Sequence, residues 1–218
     1  AYSRESTPHA VTVITIRHLE SGAVLTSVVV RKGIWPFIVS LAADWLRKLN
    51  REPIVLRGDP EHSLTAFLSA VKARMTNGGT ACEIEKGTVG SHQSIGGAEV
   101  SHDIVAGYAR CMALMVKRQT GFEIEPQSRL FAWLVRHAGF LVTEKHIQKH
   151  GCTARRLLSG EENKSKLAVW GETVLFKVPE VRKQGSLLPR WNRGIWVGIR
   201  TGDGGHLVLN RDGWQSAR

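Results

Sequence analysis

Two β-branched runs, Val11–Arg17 (VTVITIR) and Ala23–Val30 (AVLTSVVV), flank a turn at Ser21-Gly22 near the start of the chain. Branching at Cβ favours extended backbone, and a short glycine-containing connection brings two such runs together as an antiparallel hairpin. A hairpin at this position excludes a purely parallel sheet. Beyond the hairpin the hydrophobic period alternates between helical and extended. Trp35-Pro36 opens a helix, because proline lacks the N–H that the first turn would leave unsatisfied, and Ile38, Leu41, Ala42, Trp45 and Leu49 recur at helical spacing.

Pro53–Leu56 (PIVL) reads as a short strand ending at Arg57-Gly58-Asp59. A helix comes next, with Leu64, Phe67, Leu68 and Val71 on one side. Thr80–Ile84 reads as a further strand and Gly87–Gly97 as a Gly/Ser-rich loop. A long helix runs from Ala98 to about Gln119, and another carries Phe131, Leu134, Ala138 and Leu141. Strands alternating with helices point to an α/β layered core with a mixed sheet. Composition shifts at the polar stretch Ser159–Ser165 (SGEENKS). Thr173–Val178, Ile195–Arg200 and His206–Asn210 then alternate with Gly-rich turns, the pattern of a small β-barrel. Trp170, Trp191, Trp196 and Trp214 are its expected core. The expected division is residues 1–160 for the layered core and 161–218 for the barrel.

Charge narrows the partners. The 218 residues carry a net charge of +11, with a pI near 10.1. Such an excess of Lys and Arg favours a polyanion, and nucleic acid is the commonest. Cys82, Cys111 and Cys152 are odd in number, widely spaced and without a CxxC pair. That points to a reducing compartment, nucleus or cytoplasm. No apolar run reaches the roughly 18 residues of a membrane span, so no membrane partner is expected.

Two carboxylates stand out. Asp59 ends a strand just before Pro60. It reads either as a helix cap or as a ligand-facing acid at the carboxyl edge of a sheet. Glu99 comes just after the glycine pair Gly96-Gly97 and falls in a first helical turn, where the macrodipole favours a negative charge. At helical spacing it shares a face with His102, Asp103, Ala106, Arg110 and Lys117, so basic residues lie in line with it. Carboxylates at strand and helix edges in a basic chain suit a hard divalent cation such as Mg²⁺. His146, His150 and Cys152 offer a second, weaker metal spacing for zinc. Lys183, Arg190, Arg193, Arg200, Arg211 and Arg218 interleave with tryptophans, a pattern suited to phosphate neutralisation and base stacking.

Several stretches together resemble retroelement integrases, most similar to those of copia-like retrotransposon Pol polyproteins. The hairpin ending in VVVRKG resembles the family's second and third strands. IVLRGDPE resembles the strand ending in the second catalytic Asp, and VGSHQSIGGAEV the stretch carrying the catalytic Glu. WGETVLFK, LPRWNRGIWVGI and DGWQSAR resemble the segment after the catalytic core, so the likeness runs along nearly the whole chain. It implies a ribonuclease H-like core followed by a small nucleic-acid-binding β-barrel. It implies DNA 3′-end processing and strand transfer with Mg²⁺ or Mn²⁺, Asp59 and Glu99 as catalytic metal ligands, DNA as partner, and a homo-oligomer by analogy. Thirty-nine residues separate the two acids, a spacing that suits the family. Gly90, Gly96 and Gly97 would give the loop before the Glu helix its freedom.

The pattern also departs from the family. No Asp precedes Asp44, so the first catalytic Asp lies upstream of Ala1 or is lost. Ile95 stands where the family has Asn, and Val100 where it has Arg. A non-catalytic nucleic-acid-binding remnant, or domesticated pseudo-integrase, is therefore the alternative. Another ribonuclease H-like nuclease such as a resolvase is a more distant one, disfavoured by the barrel.

Overall fold

The computed structural model describes residues 11–50, 52–86, 96–177, 190–200 and 204–217. It contains two compact units. The first comprises Ala1–Tyr108 with Ala138–Asn163, and the second Ala109–His137 with Lys164–Arg218. Gly90 and Lys183 lie outside the described residues.

In the first unit, β1 (Thr12–Arg17) and β2 (Val24–Val29) form the expected antiparallel hairpin, with Thr12 opposite Val29 and Arg17 opposite Val24. The turn closes through His18 N donating to Ala23 O at 2.9 Å and Gly22 N donating to His18 O at 2.9 Å. Helix α1 (Pro36–Lys48) starts on its proline and buries Ile38, Val39, Ala42, Ala43 and Leu46. The buried stripe is turned slightly from the expected one, leaving Leu41 and Trp45 half-buried at its margin.

A strand, helix and strand come next: β3 (Ile54–Gly58), α2 (His62–Asn77) and β4 (Cys82–Lys86). β3 and β4 pair in parallel, Ile54 opposite Cys82 and Gly58 opposite Lys86. The core gathers Ile14, Leu25 and Val29 from the hairpin with Ile38, Leu46, Phe67, Val71 and Met75 from the two helices. The expected single mixed sheet is not what the ladders form. Among the described residues β1 pairs only with β2 and β3 only with β4, giving two separate two-stranded sheets. β1 and β3 instead line one cleft.

Helix α3 spans Gly96–Thr120 and α4 spans Arg129–Glu144, each running from one unit into the other. The end of α4 belongs to the first unit. There Thr143 Oγ1 accepts from Val24 N at 2.9 Å and donates to Val24 O at 3.2 Å. A short helix, α5 (Ala154–Ser159), is not among the expected elements. Its signals are nonetheless present: Thr153 caps it by accepting from Arg156 N at 3.2 Å, and Gly160 ends it in a left-handed conformation at φ 77°.

The second unit holds a four-stranded antiparallel meander: β5 (Thr173–Lys177), β6 (Trp191–Ile199), β7 (His206–Asn210) and β8 (Gly213–Ala217). β8 falls in the closing DGWQSAR stretch, where periodicity alone points to no strand. Only two of the four expected core tryptophans are buried. Trp170 donates through Nε1 to Val197 O at 3.0 Å, and Trp196 through Nε1 to His206 Nδ1 at 2.9 Å. Both thus bury their ring while satisfying the polar tip. Trp191 is 61% exposed and Trp214 36% exposed. Trp133 of α4 stacks at 5.2 Å on the Trp214 ring.

His137 meets Trp196 edge-on, with ring centroids 5.0 Å apart. Burial pushes its imidazole down to about 4. Gly198 occupies a bulge between β6 and β7 at φ 124°, and a Cβ there would stand 3.1 Å from His137 Nδ1. Cys82, Cys111 and Cys152 are free thiols. Among the described residues no helix is long and apolar enough to cross a membrane.

Two outcomes are expected. A histidine whose folded value is depressed leaves the unfolded chain binding the extra proton. Stability therefore falls as pH drops from about 6.5 toward 4, and this contribution is flat below that. In urea titrations across that window, His137→Phe should lose this component of the pH dependence relative to the parent. Gly139→Ala should cost about 1–2 kcal/mol, because the new methyl would strike Thr26 and overpacking outweighs the helix-propensity gain. A thermal midpoint equal to the parent's would contradict the close approach of α4 to β2.

Candidate functional site

Asp59 is the residue after the last ladder pair of β3. A Cβ on Gly58 would stand 2.9 Å from Leu64 and 3.1 Å from Leu68, so glycine lets the strand end lie directly on α2. That packing sets where Asp59 emerges. The capping reading of Asp59 is corrected: α2 begins at His62 and its cap position is Glu61. Glu61 is engaged elsewhere, accepting from Lys32 Nζ at 3.0 Å and from Ser63 Oγ at 2.8 Å. Asp59 is half-buried at the carboxyl edge of a parallel strand pair.

Glu99 lies in the first turn of α3 and is exposed. Gly96 and Gly97 are the first two residues of that helix. This corrects the loop assignment for both: the described backbone has them in helical hydrogen bonding. A Cβ on Gly97 would make ordinary contacts, 3.6 Å to Leu19 and 3.7 Å to Arg17, and one on Gly96 would meet nothing. The helix start therefore lies against the end of β1. Two polar contacts fix it there. Arg17 Nη1 donates to the fully buried Ser101 Oγ at 2.5 Å, and Thr15 Oγ1 lies 3.1 Å from His102 Nδ1. Burial holds the His102 imidazole below its usual range, which favours the neutral ring in this contact.

A cleft of about 360 Å³ brings these elements together. Residues 14–20, from β1 into its turn, line one wall, and residues 53–59, through β3 to Asp59, line the other. Ala98, the residue before Glu99, lines it as well. Neither Asp59 nor Glu99 has a hydrogen-bond or ion-pair partner among the described residues. Two carboxylates without a cationic neighbour are donors of the kind a hard divalent ion takes. Among the described residues no three His, Cys, Asp or Glu side chains gather as a metal group, and His146, His150 and Cys152 form none. His146 Nδ1 lies instead 3.3 Å from Tyr108 Oη.

The expected basic residues divide differently. Arg110 and Lys117 are exposed on α3, and Lys117 is paired with Glu123 at 2.8 Å. Arg190, Arg193 and Arg200 are exposed in the second unit. The register of β5 with β6 builds a face that residue type alone does not predict. Lys177 stands opposite Trp191, Leu175 opposite Arg193, and Thr173 opposite Ile195. Leu175 is 65% exposed, and Trp191 and Ile195 are also exposed. Cations thus alternate with bare apolar and aromatic groups on one sheet face. The period-two alternation of Trp191, Arg193 and Ile195 against buried Gly194 and Trp196 is the signal for it.

No protein-family model and no curated protein matches the chain. Among solved structures it is similar to a chain of the simian T-cell lymphotropic virus intasome, solved with the PP2A regulatory subunit B56 gamma. The identity is 13% and the TM-score 0.53, over 100% of this chain and 73% of that one. It is also similar to the catalytic core domain of BIV integrase, at 15% identity and a TM-score of 0.46, over 72% of this chain and 90% of that one. The intasome likeness shows an integrase-like fold.

Arg17→Met tests how α3 is held. It keeps the packed stem but leaves Ser101 buried without its donor, which should cost about 1–3 kcal/mol. Hydrogen exchange should accelerate in the first two turns of α3. Unchanged exchange there would show that Arg17 does not anchor the helix.

Proposed function

We propose that this chain is the catalytic core and C-terminal segment of a retrotransposon integrase, acting on DNA 3′ ends through divalent-metal phosphodiester chemistry. The observation that carries the reading is the cleft lined by Asp59 and by Ala98, which precedes Glu99 in the first turn of α3. Asp59 and Glu99 would hold Mg²⁺ or Mn²⁺ as oxygen donors. A bound ion there would polarise the phosphodiester and favour the ionised nucleophile. The protein's own part is positioning. Gly58 packed on α2 fixes one carboxylate, and Arg17 with Thr15 fixes the helix that carries the other. A third oxygen donor, the family's first catalytic Asp, would complete the site. A homo-oligomer belongs to the same proposal, by analogy with related integrases that work as multimers.

A second reading is favoured by the face of β5 and β6. Lys177 and Arg193 interleaved with Leu175, Trp191 and Ile195 suit a phosphate backbone and unstacked bases without any metal. On that reading the chain holds nucleic acid and catalyses nothing.

Calorimetric titration with Mn²⁺ separates the two. The integrase reading expects a binding heat that Asp59→Asn and Glu99→Gln each abolish, together with loss of Mn²⁺-dependent joining of a labelled duplex. Heat unaffected by either substitution, or absent both from this chain and from one extended upstream to supply the third donor, removes the catalytic reading. On both readings Arg193→Ala should weaken duplex binding and lower the salt slope by about one.

A further inference from the structure

The exposed face of β5 and β6 does not stop at those two strands. Residues directly opposite one another in an antiparallel ladder project to the same side of the sheet. Thr173 is opposite Ile195, Ile195 opposite Leu209, and Leu209 opposite Trp214. One row therefore crosses all four strands and ends on a second part-exposed indole. The Trp214 ring is backed at 5.2 Å by Trp133, and the Arg136 guanidinium lies 5.0 Å from the centre of the Trp133 ring. The next two rows on β5 and β6 hold Leu175 opposite Arg193 and Lys177 opposite Trp191. Neither Lys177 nor Arg193 has an ion-pair partner among the described residues.

These four residues make a square. Lys177 and Arg193 occupy one diagonal, about 7–8 Å apart by ladder geometry, and Leu175 and Trp191 occupy the other. That arrangement discriminates between forms of nucleic acid. A duplex hides the faces of its bases in the stack and presents phosphates. It would engage the cations and leave Leu175, Trp191 and Ile195 against a hydrated backbone. An unpaired strand presents phosphates and base faces together, and a ring stacks on any base because every base has a π-face. A purely apolar partner would bury both cations without counter-charge.

We propose that this face is a platform for single-stranded nucleic acid: Lys177 and Arg193 meet phosphates, Trp191 stacks on an unpaired base, and Trp214 offers a second ring across the sheet. None of these groups selects the sugar, so DNA and RNA single strands share the chemistry. The proposal rests on the nucleic-acid reading of β5 and β6 given above. It is independent of Asp59, Glu99 and any metal.

The full chain is titrated, with EDTA present, against fluorescent oligothymidylate and oligouridylate of about ten nucleotides. A blunt adenine–thymine duplex of the same length is titrated at the same salt concentration. The expected result is a single strand bound about tenfold more tightly than the duplex. Trp191 is 61% exposed, so replacing it leaves the core intact. Trp191→Ala should weaken single-strand binding about tenfold and leave duplex binding within about twofold, and Trp191→Phe should restore most of the loss. Arg193→Ala should weaken both. The tighter of the two oligonucleotides names the source. Duplex binding as tight as single-strand binding, or single-strand binding indifferent to Trp191→Ala, overturns the platform and leaves the nucleic-acid reading in place. Binding of no nucleic acid overturns both. Capture of an acidic, leucine-rich peptide in place of either nucleic acid would give the face to a protein and overturn both as well.

Discussion

The contact between Arg17 and Ser101 carries more of the first unit than its size suggests. Ser101 is fully buried, so its hydroxyl must find a partner inside the protein, and the guanidinium at the end of β1 supplies one. A charged donor makes such a bond stronger than a neutral one and fixes its direction. Through it the second turn of a 25-residue helix is tied to a strand far away in sequence. Gly97 against Leu19 and Arg17, and Thr15 beside His102, belong to the same docking. The position of Glu99 is therefore a property of β1 as much as of its own helix. Asp59 is set by unrelated means, the close approach of Gly58 to α2.

How much of the fold is legible in the sequence depends on which signals are local. The hairpin is readable because β-branching and a Gly turn act within a few residues. Helices α1, α2 and α4 are readable by period. α5 is not, because six residues are too few for a period to emerge, although its Thr and Gly caps are visible. The sheet connectivity is not legible, since ladder partners are chosen by long-range packing that no short window contains. Trp191 and Trp214 mislead for a different reason. Residue type suggests core, while strand alternation decides which face a side chain takes, and β6 turns Trp191 outward with Arg193 and Ile195.

The two carboxylates are legible as candidates, and the structure adds that one cleft receives both of their elements. The glycine pair is legible as a helix boundary but not as helix, because glycine propensity argues for a loop where the packed start of α3 prevails. The basic residues are legible only as a total. A net charge of +11 says that a polyanion is favoured. It does not say that Lys117 is occupied by Glu123, or that Lys177 and Arg193 share a face with bare apolar groups.

Thr143 bears on a hazard common to proteins with open sheets. Its hydroxyl both receives the N–H and engages the C=O of Val24, so one rim of the hairpin is already occupied by a side chain. A sheet able to grow at both rims can recruit copy after copy into a fibre. Thr143 satisfies both Val24 groups, so at that position the β2 rim offers no ladder to an incoming strand.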